Sequence, residues 1–331
     1  MKQDLAGEAI GVSGANGFVG RALVGEILAR GGFPVRLLRR PCAAAVPGLN
    51  DRIVGEIHGE TDWRPHLADC ASVVHLAARV HVMAEAIADP LAAFRRVNRD
   101  GTAKLARDCA EIGVRRLVFV SSVKVNGEAT AFDPRTGLGA PFTARDLPHP
   151  VDEYGLSKCE AEDAALEIAR ATGLEVSIVR PPLVYGPGVG GNMQRLLGLV
   201  ARGVPLPFAA IDNRRSLVGV RNLADLLILA ARHPAAAGRV FLAGDGADLS
   251  TPDLIRGLAR ALGKPARVFP VPLAVLRLVG RLSGKTAEIE RLTQSLQMDT
   301  EDTARRLGWV PPVSQEAGFR EMAEHFLRAQ D

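Results

Sequence analysis

The sequence predicts an α/β fold, a doubly wound parallel sheet with a smaller, helix-rich C-terminal lobe. Two observations carry this reading. Up to residue 180, short apolar runs alternate with longer segments of helical period, as right-handed crossovers between parallel strands require. The first run, "EAIGV", leads directly into the glycine-rich turn "SGANGFVG", which opens a helix.

The elements follow in order. "GFVGRALVGEILARG" is an amphipathic helix ending at Gly31 and Gly32, "PVRLL" a second strand and "DRIVGEI" a third. "ASVVHLAA" is a fourth strand, uniformly apolar as strands covered on both faces are. Residues 90–112 form a long helix opening at Pro90, and "RRLVFVSS" is the fifth strand. "DEYGLSKCEAEDAALEIARATG" is a second long helix stopping at Gly173, and "LEVSIVR" is the sixth strand. This is the Rossmann-type arrangement, with its ligand outside the carboxyl ends of the strands. Beyond it, helices are expected at about 192–203, 222–233, 252–262, 272–283 and 315–329. The strands "RRSLVGV" and "GRVFLAG" are interleaved among them. We divide the chain into a dinucleotide-binding domain over 1–180 and a mainly substrate-binding lobe over 181–331, which could return short strands to the sheet.

Composition excludes several classes. With 24% charged residues, a net charge of +4, two tryptophans and two tyrosines, the chain has neither a basic arm nor stacking aromatics for nucleic acid. Cys42, Cys70, Cys109 and Cys159 form no CxxC pair, which argues against a metal site and fits a reducing cytoplasm. The apolar run "VPLAVLRLVG" is too short to span a bilayer.

Gly14, Gly17 and Gly20 give the turn its GxxGxxG spacing. Glycines there allow a tight turn, a close approach to a pyrophosphate and tight helix–strand packing, while the helix N-terminus attracts the anion. Tyr154 and Lys158 lie i, i+4 on one helix face. A tyrosine exchanges protons near neutrality only if its pKa falls well below ~10, and a nearby ammonium favours the phenolate. Ser121 and Ser122 end the fifth strand, where a hydroxyl points into the ligand crevice. Where an acid would hold the ribose of NAD, 19 residues after Gly20, stands Arg39, followed by Arg40. An arginine there favours the 2′-phosphate of NADP(H), with NAD(H) the alternative.

These segments, with "VVHLAA", "VNRDGT", "FVSS", "YGLSK" and "RPPLVYGPG" in order, resemble the extended short-chain dehydrogenase/reductase superfamily, NAD-dependent epimerase/dehydratase branch. The resemblance covers nearly the whole chain. It implies Ser122, Tyr154 and Lys158 as the catalytic set, with Tyr154 exchanging a proton with the substrate oxygen. Lys158 would also hold the nicotinamide ribose, and Asn98 would steady the site. It further implies cofactor contacts from Asn16, Phe18, Val19, Glu56, Ile57, Leu76, Ala77, Ala78, Ser121 and Pro181. "GGNMQRLLGLVARGVPLPF" and "NRRSLVGVRNLADL" resemble nucleotide-sugar-binding segments. Ser122, Lys124, Asn126, Asn192, Arg215 and Arg291 would face the substrate, the two arginines as ligands for its diphosphate. Asn126 stands where many relatives carry tyrosine, and Leu183 where many carry asparagine.

The expected function is chemistry at C4 of a nucleotide-activated sugar, first as NADPH-dependent reduction of a UDP-4-keto-(N-acetyl)-deoxyhexose in bacterial polysaccharide biosynthesis. The alternative is a UDP-sugar 4-epimerase, acting on UDP-glucose or a UDP-N-acetylhexosamine, with tightly bound NAD. A reductase of hydrophobic ketones and a non-catalytic NADP-sensing protein are further readings. A homodimer would form through the helices at 90–112 and 153–171, as is common in the superfamily.

Overall fold

The computed structural model describes residues 4–41, 49–80, 89–133 and 138–330; Cys42 lies outside them. Seven strands form one parallel sheet: β1 (Ala9–Ser13), β2 (Phe33–Leu38), β3 (Asn50–Ile53), β4 (Ser72–His75), β5 (Arg116–Val120), β8 (Glu175–Arg180) and β11 (Arg239–Leu242). The order across the sheet is β11-β8-β5-β4-β1-β2-β3. Strand order therefore reverses between β1 and β4, and the ligand crevice of such a sheet opens at that point. Two short pairs lie outside the sheet, the hairpin β6 (Phe132–Asp133) with β7 (Leu138–Gly139) and the parallel pair β9 (Leu183–Tyr185) with β10 (Leu217–Gly219).

The helices are α1 (Phe18–Ala29), α2 (Arg64–Leu67), α3 (Pro90–Arg95), α4 (Gly101–Glu111), α5 (Glu153–Thr172) and α6 (Gly191–Ala201). After them come α7 (Val220–Arg232), α8 (Thr251–Ala261), α9 (Leu273–Leu282), α10 (Thr286–Thr293), α11 (Glu301–Leu307) and α12 (Gln315–Arg328). One face of the sheet packs Val12, Val118 and Val179 against Leu23 and Ile27 of α1 and Leu223 and Leu227 of α7. The other packs Val73, Leu117, Phe119 and Ile178 against Leu105 of α4 and Ala161 and Ala165 of α5. A side chain such as Ile178 so buried stabilises by about 1.5–3 kcal/mol. A third cluster around Tyr185, Leu197, Leu258 and Phe319 holds the C-terminal lobe together.

Local rules explain most of these elements. Asp152 caps α5 by accepting from the Gly155 N–H at 2.7 Å, and Gly173 ends the helix in the left-handed region at φ 80°. The expected helix over 90–112 is one path broken by a π turn at Arg96–Asp100. The strand read at "RRSLVGV" shortens to three residues because Val220 already opens α7. "GRVFLAG" becomes the edge strand of the main sheet, so the C-terminal half completes the dinucleotide-binding half. Helix α10, and strand β9 in a segment read as loop, were not anticipated, whereas α11 falls in "DTARRLGWVPP", which resembles the helix and turn that close this fold.

Candidate active site

The glycine turn is sterically required. Gly14 is left-handed at φ 68°, and a Cβ on it would come 2.8 Å from the Ala77 amide nitrogen. A Cβ on Gly20 would come 2.2 Å from the Gly14 carbonyl oxygen and 2.7 Å from Ala15 Cα. The turn is thus pressed onto the loop after β4 on one side and onto α1 on the other. Ser13 stitches the same junction. Its Oγ accepts from the Leu76 and Ala77 N–H groups, both at 3.2 Å, and lies 2.6 Å from His75 Nδ1. His75 is fully buried, stacked on Phe119 with its edge toward Trp63. Burial first, and the Lys158 charge second, push its pKa down to about 3, so it is neutral at neutral pH.

A cleft of about 610 Å³ opens at this junction, lined by Gly14, Asn16, Gly17, Arg39, Arg40, Glu56, Ile57, Ala77 and Ala78. Nine of the expected cofactor residues thus meet in one place, although they come from four separate loops, after β1, β2, β3 and β4. Arg39 and Arg40 are exposed, but both stand beside one carboxylate. Arg39 lies 3.2 Å and Arg40 3.6 Å from the same Glu56 Oε1. Val19 and Leu76 pack on the core and do not line the cleft, and Phe18 borders a separate shallow groove with Pro187.

The expected catalytic residues gather at the ends of β5 and α5. Lys158 is 2% exposed, its Nζ donating to the Val120 carbonyl at 2.6 Å and lying 4.2 Å from the Phe119 ring centroid. Burial brings its pKa down to about 7. Burial pushes the Tyr154 hydroxyl up to about 12, with Asp152 adding to the rise. The expected effect of an ammonium on Tyr154, a lowered pKa, is therefore not what this arrangement produces: the Lys158 charge is directed at the Val120 carbonyl. Ser122 accepts from the Lys124 N–H at 3.2 Å and starts the turn Val123–Val125. Ser121 Oγ is buried without a hydrogen-bond partner. The Pro181 carbonyl accepts from the Val123 N–H at 3.0 Å, which fixes the serine turn to the end of β8.

Asn98, in the π turn, acts through both ends of its amide. Its Oδ1 accepts from the Arg79 N–H at 2.8 Å, and its Nδ2 donates to the Arg79 carbonyl and to Ser157 Oγ at 3.0 and 2.9 Å. It therefore ties the loop after β4 to the residue preceding Lys158.

The expected substrate residues divide. Asn126 is 3% exposed, donates to the Thr143 carbonyl at 2.9 Å and accepts from Arg180 at 3.0 Å. Arg180 is itself paired with Glu162 inside the protein. Both ends of the Asn126 amide are thus committed to the interior, a correction to its placement at the substrate. Lys124 is held between Asp152 at 2.5 Å and Glu128 at 2.8 Å. Burial lowers its pKa, but these two carboxylates reverse the sign and leave it raised. Arg215 and Arg291, 76 positions apart, come together: the Arg215 guanidinium donates to the carbonyls of Arg291 and Gln294 at 2.8 and 3.1 Å. Asn192 is exposed at the start of α6, and Leu183 is 45% exposed on β9. The chain's other tyrosine, Tyr185, is fully buried and donates to Asp245 at 2.6 Å, whereas Tyr154 at the start of α5 packs its ring against Phe94.

The model of the NAD dependent epimerase/dehydratase family matches residues 10–244. The chain belongs to this family. It is therefore an enzyme of the NAD-dependent epimerase/dehydratase kind, and its glycine cradle fits the cofactor the family is named for. It is 43% identical to a UDP-glucose 4-epimerase of Vibrio cholerae, over 97% of this chain and 96% of that protein. It is 30% identical to a ceramide reductase of Caulobacter vibrioides, over 80% and 73% of the two chains. A solved structure, MoeE5 in complex with UDP-glucuronic acid and NAD, superposes with a TM-score of 0.75 at 25% identity, covering 98% of this chain and all of that one. This epimerase/dehydratase-family chain has no helix among the described residues long and apolar enough to cross a membrane.

Sequence reasoning did not identify Ser13, His75 or Ser157. The signal was present in "VSGANG" and "VVHLAA", where a buried hydroxyl and imidazole sit at the ends of adjacent strands, but only the sheet register makes them partners.

Proposed function

We propose that the protein is a UDP-hexose 4-epimerase that retains NAD. The observation that carries this reading is the full-length likeness, at 43% identity, to the Vibrio cholerae UDP-glucose 4-epimerase. It favours the alternative drawn from the sequence over the ketosugar reductase, and the pairing of Arg39 and Arg40 with Glu56 supports NAD over NADP. When bound, the nicotinamide supplies a hydride acceptor and donor at the sugar's C4.

The chain's own residues supply the rest. Gly14, Gly17 and the α1 N-terminus receive the pyrophosphate with backbone N–H groups and the helix dipole. Ser122 hydrogen-bonds the C4 oxygen, and Tyr154 Oη takes its proton and later returns it. Lys158, whose pKa near 7 makes its charge responsive around neutrality, supports the phenolate only once its ammonium is drawn from the Val120 carbonyl toward Tyr154 with cofactor and substrate bound. Arg215 and Arg291 meet the diphosphate, with Asn192 nearer the sugar. Asn98 is a positioning residue that acts through Ser157. Helices α4 and α5 lie side by side on one face of the sheet, and we read them as half of a dimer-forming four-helix bundle.

The test is incubation of the purified protein with UDP-glucose and no added reductant, with UDP-galactose followed by chromatography. Interconversion without NADPH is the expected result. Turnover seen only with NADPH and a 4-keto sugar would return the reductase reading.

A further inference from the structure

We propose that α9, with the turn after it, is a docking surface for an anionic membrane. Of the ten residues Leu273–Leu282, only Leu276 and Gly280 are buried, Gly280 against Ile289 of α10. Val275, Leu278, Val279 and Leu282 are instead 46%, 56%, 54% and 81% exposed. Their spacing, i, i+3, i+4 and i+7, places all four on one stripe. A single exposed leucine is ordinary, whereas a continuous apolar stripe on a short surface helix marks an interaction site.

Charge identifies the partner. Arg281 borders the stripe at Leu278 with Arg277 one turn before it, and together with Thr286, Thr293 and the acid Glu290 the two arginines line a cleft between α9 and α10. Lys285 is exposed in the connecting turn, so that, Arg291 aside, three cations stand against the two acids Glu288 and Glu290 along this hairpin. An apolar stripe bordered by arginines matches a lipid boundary, where the stripe enters the acyl region and the guanidiniums meet phosphates. Two copies packed stripe to stripe would instead gather the arginines of both along one seam, with like charges opposed. The hairpin is also joined to the proposed substrate lobe through the Arg215 bonds to Arg291 and Gln294, so a docked α9 would hold that lobe next to the lipid. The inference goes beyond the epimerase reading and does not depend on it.

The experiment is co-flotation of the full-length protein with vesicles of phosphatidylcholine, alone or mixed with phosphatidylglycerol, at low and at high salt. Association with the anionic vesicles that weakens with salt is expected. It should be lost in Leu278→Ser/Leu282→Ser, and about thirtyfold weaker in Arg277→Gln/Arg281→Gln, from about tenfold for each two-thirds of a pair of surface charges removed. All four side chains are at the surface, so the melting temperature should stay unchanged and report an intact fold. The proposal is overturned if the protein does not float with anionic vesicles, or if the serine double variant floats equally well. It is also overturned if that variant halves the mass in sedimentation, which would assign the stripe to a second copy.

Discussion

The Nζ of Lys158 donates to the carbonyl of Val120 at 2.6 Å, a bond that joins the second turn of α5 to the end of β5, an inner strand of the sheet. Phe119 lies under the same ammonium at 4.2 Å, and the fully buried His75 stacks beneath Phe119. The lysine is therefore held by strand, ring and burial before any substrate enters, and its depressed pKa follows from that enclosure.

Stability should carry the mark of this lysine. A folded pKa of about 7, below the ordinary lysine value, means that the unfolded chain binds the extra proton between those two points. The contribution is fully present above the unfolded value and is lost as pH falls toward 7, at up to about 1.4 kcal/mol per pH unit. Urea midpoints of wild type and Lys158→Met measured from pH 7 to 9.5 should show a steeper rise for wild type. Parallel curves would contradict the assignment.

Removing the Tyr154 hydroxyl should separate chemistry from binding. Tyr154→Phe is expected to lower kcat by about 10²–10⁴ while NAD titration is unchanged. Equal loss of binding would mean that the hydroxyl serves structure.

Two glycines of α1 should respond in opposite directions. Gly20→Ala places a Cβ 2.2 Å from the Gly14 oxygen and should cost about 3 kcal/mol with loss of NAD binding. Gly25→Ala meets nothing within 4 Å and should stabilise by up to about 1 kcal/mol. Thermal melts of the two proteins decide the matter.

Glu56→Gln frees Arg39 and Arg40 from their shared carboxylate. The NADP/NAD affinity ratio should then rise about tenfold, one charge-assisted bond to a 2′-phosphate. Fluorescence titration with both reduced cofactors measures it, and an unchanged ratio would show that the arginines do not reach the ribose.

Asn98→Ala removes the acceptor of the part-buried Arg79 N–H and the donor to Ser157 Oγ, whose own proton still goes to the Tyr154 carbonyl at 2.8 Å. It should cost about 1–3 kcal/mol and lower kcat more than it raises KM, whereas Asn98→Asp, which keeps the acceptor for the Arg79 N–H, should restore part of the stability. Chemical denaturation and steady-state kinetics on the two variants test this together.

The alternation of apolar runs and helical segments was enough to read the doubly wound sheet, because each strand buried on both faces leaves a local signature. The turn at Gly14–Gly20 and the pair Tyr154/Lys158 were legible for the same reason: their geometry is set within seven residues of chain. Asn126 looked like a pocket residue from its place after the serine segment, yet the packing of Arg180 and Glu162 claims its amide. The meeting of Arg39 and Arg40 with Glu56, of Ser13 with His75, and of Arg215 with Arg291 depends on strand register and lobe packing across 16 to 76 positions. So does the return of Arg239–Leu242 to the sheet's edge. The sequence by itself determined the strand–turn–helix units and the residues able to do chemistry, since propensity, period and turn sterics act over short range. Tertiary structure alone decided which of those residues are partnered, neutralised or buried, because hydrogen bonds, charge and desolvation depend on neighbours that the chain brings together only when it folds.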